Sequence, residues 1–252
     1  MLSTRNCILR DSDHVYLWDP EGTAEKMRVS VTGVINHFKP PYDGPPDAGW
    51  RGTHVHRAME ALAWDAVTRQ ENERQKNTDI PPVQPDSWEE FLDYHGTTSP
   101  EGIDCNEWIH QLRKGAIGKS GLTMADFWAE AEVIATEFTM VDRRKSLGGQ
   151  LDLLVRFRGE VWLCDLKTKG ASWKGPRPED RKNYSAQAGG YMHLMACGEG
   201  AKPAETPLID KCRTVVVTPN RVEWLTAMHP DQCSLDWEEC WGAYSADALV
   251  AF

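Results

Sequence analysis

The 252-residue chain has no apolar run near the roughly 20 residues that a helical bilayer span requires. A membrane partner is therefore not expected. Its opening, Met1-Leu2-Ser3-Thr4-Arg5-Asn6, lacks the apolar stretch of a secretory signal, so the expected setting is cytoplasmic. The seven cysteines, an odd number, include no Cys-x-x-Cys pair and no closely spaced ligand cluster. That argues against a disulfide frame or structural zinc and predicts buried, reduced thiols. No Gly-x4-Gly-Lys-Ser/Thr pattern occurs, and neither do internal repeats or long low-complexity tracts. What is present is ordinary for a soluble globule: 40% hydrophobic, 26% charged, and a length suited to one large domain, with or without an insertion.

A net charge of −10 at first disfavours a polyanionic partner. The charge is uneven, however. From Arg143 to Lys182 there are 11 basic residues against 5 acidic ones, so this window carries +6 and the remainder −16. The local field steers a polyanion more than the total does.

The same window holds the most informative stretch. Leu151 to Phe157 and Glu160 to Leu166 are apolar-rich runs joined by Arg158-Gly159, and they predict a β-hairpin. A two-residue turn sets Phe157 opposite Glu160, Leu154 opposite Leu163, and Asp152 opposite Asp165. Alternation then gives Leu151, Leu153, Val155 and Phe157 one face with Trp162, Cys164 and Leu166, which reads as core. Asp152, Asp165 and Lys167 take the other face. Directly opposed side chains lie about 4.5–5.5 Å apart at Cβ, where two carboxylates repel. Such a pair needs a proton, a cation or open solvent, and a divalent metal is the most economical answer. The register hangs on the turn, because a slip of one residue would exchange the faces.

Along the rest of the chain, His14–Trp18 and Met27–Val31 predict short strands, and Trp50–Thr68 a helix with Val55, Met59, Leu62 and Ala66 inward. Gln70–Gln84 reads as a polar linker. Ser87–Tyr94, Asn106–Ile117 and Met124–Ala131 read as short helices, so that about 70–130 forms a helical insertion in a single domain spanning 1–252. Its aromatics, Trp88, Phe91, Tyr94 and Trp108, could stack unpaired bases, but burial in amphipathic helices is expected to account for most of them. Glu132–Val141 predicts a strand leading through a basic turn into the hairpin. A helix over Arg181–Cys197, strands over Arg213–Val217 and Val222–Ala227, and a helix over Asp231–Val250 packing Leu235, Trp241 and Leu249 complete the chain. This order predicts an α/β (α+β) fold with helices covering a central mixed sheet.

Four motifs recur in a telling order: Gly52-Thr53-His54-Val55-His56 before a helix, Gly149-Gln150-Leu151-Asp152, Asp165-Leu166-Lys167-Thr168, and Gln187-Ala188-Gly189-Gly190-Tyr191. Here the chain resembles the PD-(D/E)XK nuclease superfamily, closest to its RecB-like, λ-exonuclease-like and mitochondrial genome-maintenance exonuclease branch. The resemblance spans roughly Arg51 to Leu194, with Tyr16 to Gly33 similar to the lead-in of phage-type members. It implies a restriction-endonuclease-like core and a Mg²⁺ or Mn²⁺ ion held by Asp152, Asp165, the Leu166 backbone carbonyl and His56. By the same resemblance Lys167 orients or deprotonates the attacking water, and Glu137 is the upstream acid. Gln187 and Tyr191 share a helix face with Tyr184; the resemblance implies that Gln187 reaches towards the active site or the scissile strand and that Tyr191 helps to hold nucleic acid or the lysine. Thr168, Lys169, Arg143 and Arg144 are further expected DNA contacts. His56, not His54, fits the motif. Glu60, a helical turn on, either supports His56 or pairs with Arg57.

The expected activity is hydrolysis of DNA from an end, in recombination, repair, replication or phage DNA processing. The chain is too short to include a helicase, so unwinding would require a helicase or recombination-protein partner. A structure-specific or restriction-like endonuclease with the same centre is the alternative. A non-catalytic DNA-binding module is a third reading, but a binding module has no need of two opposed aspartates.

Overall fold

In the computed structural model, described over residues 2, 6–10, 14–20, 22, 24–40, 45, 47–75, 87–199 and 206–250, a mixed sheet lies between two helical layers. A small antiparallel sheet, β1 (Cys7–Arg10), β2 (Val15–Trp18) and β3 (Glu25–Lys26), opens the chain. Strand β4 (Val29–Ser30) turns directly into α1 (Val31–Asn36), where a longer strand was expected. The reason is local: the Ser30 side chain accepts from the Gly33 N–H at 2.9 Å and caps a new helix, with Val31 and Val34 buried.

Helix α2 (Asp47–Gln75) is longer than the spacing predicted and absorbs residues 70–75 of the expected linker. The rest of that linker lies outside the described residues. Val55, Met59, Leu62 and Ala66 are buried as expected. They pack with α3 (Ser87–Tyr94), α4 (Asn106–Lys114) and α5 (Met124–Glu130) on one face of the sheet. Strands β5 (Glu132–Asp142), β6 (Leu147–Phe157) and β7 (Glu160–Thr168) are antiparallel neighbours. After α6 (Pro178–Cys197), β8 (Lys211–Val217) runs parallel to β7, and β9 (Val222–Trp224) closes that edge. Helices α1, α6 and α7 (Pro230–Val250) cover the other face.

The hairpin register is the expected one, running from Phe157↔Glu160 to Leu153↔Cys164. Arg158 and Gly159 both take positive φ, 52° and 83°, which matches the right-handed strand twist despite the bulky first residue. Pairing stops at Leu153↔Cys164, one position short of the aspartates. Further along, β4 pairs in parallel with Leu147 and Gly148 of β6, while β5 occupies the opposite edge. The segment Gly149–Asp152 is thus a gap in the ladder between β7 and β4.

One expected face is wrong. Leu151 packs not with Leu153 but with Leu154 and Leu163, in the cluster under α6. The cause sits opposite it in the sheet: Glu137, facing Asp152 between the pairs Thr136↔Leu153 and Phe138↔Leu151, has φ 43°. The kink breaks alternation in both strands, so Ala135 and Phe138 also share one cluster. In α7 the buried residues are Cys233 and Trp237, with Trp241 partly buried. Leu235 is exposed, contrary to expectation, and the side chain of Leu249 lies outside the described set. All seven cysteines are unpaired. No helix among the described residues is long and apolar enough to cross a membrane.

Candidate active site

Three elements bring titratable groups to the ladder gap: α2 carries His56, the β5 kink carries Glu137, and β6 carries Asp152. His56 Nδ1 lies 3.3 Å from Glu137 Oε1 and 3.6 Å from Asp152 Oδ1. Ligand atoms of these three residues all fall within 4.8 Å of one another. Burial by itself would lower the His56 pKa, but the Asp152 and Glu137 carboxylates outweigh it and push it up to about 9. The other candidate, His54, is fully buried against Phe91 with Nε2 3.2 Å from the Gly96 carbonyl, a core position.

Asp152 shows why the ladder stops where it does. Its Oδ2 accepts from the Leu166 N–H at 2.6 Å, so a side chain takes the place of a strand partner. The Thr136 hydroxyl donates to the Asp152 carbonyl at 3.2 Å. Burial raises the Asp152 carboxyl above its ordinary pKa, against the pull of His56.

Asp165 stands outside the trio. Lys167 Nζ sits 3.0 Å from each of its oxygens, but only the Oδ1 contact has hydrogen-bond geometry, and the buried Oδ2 is left without a hydrogen bond. Burial pushes the Asp165 pKa up to about 6, with Lys167 opposing. Lys167 also donates to Gln187 Oε1 at 3.0 Å, and Gln187 Nε2 donates to the Tyr191 hydroxyl at 2.8 Å. Asp165, Lys167, Gln187 and Tyr191 therefore form one chain of contacts, with the Tyr184 ring 5.8 Å from the ammonium. Thr168 ends β7 beside Gly52 of α2, and the Lys169 carbonyl accepts from the Trp108 indole at 2.9 Å.

Arg143 and Arg144 are elsewhere. They occupy the β5–β6 turn, six or more residues beyond Glu137, or about 20 Å of strand. There Arg143 pairs with Glu25 at 2.7 Å and Arg144 with Asp142 at 3.6 Å.

The trio borders a cleft of about 610 Å³ that Tyr191, Tyr16, Gln150, Arg57 and Glu60 also line. Two of these went unread as functional. Gln150, inside the Gly-Gln-Leu-Asp motif, donates to the Glu137 carbonyl at 3.0 Å and to the Thr139 hydroxyl at 3.2 Å, bracing the kinked backbone. The motif carried that signal. Tyr16 arrives from the opening sheet, a placement that local sequence does not encode.

The donor set fits a hard divalent cation: carboxylate oxygens, one imidazole, and an orphaned buried oxygen on Asp165. A model of the PD-(D/E)XK nuclease superfamily matches residues 33–227, and the chain belongs to that superfamily. Membership carries metal-dependent nuclease chemistry with DNA as substrate. Among solved structures, one described as the crystal structure of SSO0001 aligns over 84% of this chain and 84% of its own, at 11% identity and a TM-score of 0.27. No curated protein matches.

Proposed function

We propose that this protein is a metal-dependent exonuclease that hydrolyses phosphodiester bonds from a DNA end. The observation that carries the reading is the convergence of His56, Glu137 and Asp152 on one point at a gap in the sheet, with Lys167 held against Asp165 beside it. Asp152, Asp165, His56 and the Leu166 carbonyl would hold a Mg²⁺ or Mn²⁺ ion, with Glu137 alongside. Such an ion polarises a phosphodiester oxygen and acidifies bound water.

The chain's own groups supply the rest. Lys167 presents its ammonium from the same strand as Asp165, where it orients the attacking water and offsets charge on the phosphorane-like transition state. Gln187 and Tyr191 hold Lys167 in that orientation through their paired contacts. Thr168 and Lys169 continue the strand edge towards the substrate, and Arg143 and Arg144 add remote positive charge. The described helices of the segment at about 70–130, read as an insertion, pack against α2, which carries His56. Any coupling to unwinding would come through a partner.

The test uses end-labelled linear single strands, linear duplex and covalently closed circles with Mg²⁺ or Mn²⁺. Linear DNA is degraded and circles survive if the reading holds. Circles cut equally well would make it an endonuclease with this centre. Lys167→Ala should abolish cleavage, and a Lys167→Ala variant as active as wild type would end the enzymatic reading.

A further inference from the structure

Helix α2 does not end its contribution at His56. His56, Glu60 and Trp64 recur at i, i+4 and i+8, on one stripe of the helix, and Trp64 lies about 12 Å further along the axis. There a second groove of about 440 Å³ opens between α2 and α3, sharing Arg57 and Glu60 with the catalytic cleft. Phe91, buried, forms its floor, with His95 beside it. Its walls are two aromatics left open to solvent, Trp64 at 43% and Tyr94 at 80% exposure. The neighbouring Trp88 is buried, so exposure is not a general property of aromatics in this region. Open aromatic rings beside a guanidinium, continuous with a phosphodiester-cleaving site, are what stacking of an unpaired base requires. Paired bases, already stacked inside a duplex, cannot offer their faces to such walls.

We propose that the α2–α3 groove binds an unpaired nucleotide of the strand cut in the adjoining cleft, stacking its base on Tyr94 and Trp64. The proposal rests on the nuclease reading above and narrows it to substrates with a single-stranded end. The test is binding by the full chain in EDTA, which blocks cleavage, to a labelled single-stranded 12-mer and to a blunt hairpin duplex. Further 12-mers carry 2-aminopurine at successive positions. Tyr94→Ala and Trp64→Ala should each weaken single-strand binding roughly 5- to 150-fold, while Tyr94→Phe stays within about twofold of wild type. Binding to the blunt duplex should be unchanged in all three. One 2-aminopurine position should report stacking, and Tyr94→Ala should abolish that signal. Wild-type single-strand affinity in both alanine variants would overturn the proposal, as would an equal loss on duplex and single strand. Tyr94, the more exposed residue, is decisive if Trp64→Ala unfolds. Variants that bind normally while the enzyme still degrades linear DNA would remove the groove alone. A wild type that neither binds nor cuts DNA would remove the nuclease reading with it.

Discussion

Glu137 is a carboxylate in a backbone conformation that L-residues avoid. Its φ of 43° costs on the order of 1–2 kcal/mol, and Gln150 braces its carbonyl. What the strain achieves is visible in the clusters: it re-aims both strands so that Glu137 and Asp152 meet His56 instead of alternating into the core. Glu137→Gly and Glu137→Gln both remove the charge, but only glycine relieves the backbone. Denaturant unfolding should therefore find the glycine variant more stable than the glutamine variant by roughly 0.5–1 kcal/mol, even after its greater unfolded-state freedom. Both variants should cleave poorly. The reverse order of stability would mean that the kink is not strained. The motif spacing singled out Asp152, Asp165, Lys167 and His56 because family chemistry rides on those spacings. It did not disclose the kink, because a left-handed glutamate leaves no trace in residue type.

At the scale of elements, α6 carries Gly189-Gly190 in its middle, where two glycines cost about 2 kcal/mol in helix propensity. Close approach by the helices α7 and α1 accounts for them. A Cβ on Gly189 would collide with the Cys233 carbonyl of α7, and one on Gly190 would meet Val31 at 2.6 Å and the Trp237 ring at 3.0 Å. Seating α6 this deeply places Gln187 and Tyr191 against Lys167. Gly189→Ala should destabilise by about 3 kcal/mol despite its better propensity, since the helices must part. Gly242→Ala on α7, where a Cβ meets nothing within 4 Å, should stabilise by about 0.5–1 kcal/mol. Thermal melts of the two variants shifting in the same direction would contradict this packing.

At the scale of the whole molecule, buried charge near the gap links stability to pH and to metal. Without metal, Asp165 has a folded pKa of about 6 against an ordinary 3.8, and His56 about 9 against 6.5. Both are raised, so each contributes fully below its ordinary value and loses that contribution as pH rises through the folded one. The metal-free protein should thus lose melting temperature from about pH 4 to pH 9. Mg²⁺ or Mn²⁺, which binds the deprotonated groups, should restore more at the alkaline end. His56→Ala should remove the upper part of the decline. A flat metal-free profile over this range would show that neither group is perturbed.

The sequence by itself determined the order of elements from α2 onward, the hairpin and its register, and the family. Each of these rests on information a few residues apart: turn chemistry, periodicity and motif spacing. Tertiary structure alone decided that pairing ends one residue short of the aspartates, with Asp152 bonding the Leu166 N–H instead. It likewise set Leu151 on the second face, paired Arg143 with Glu25, and opened the groove beside Trp64 and Tyr94. These depend on strands and helices far apart in the chain meeting in space, and on a backbone kink whose energy only packing can supply.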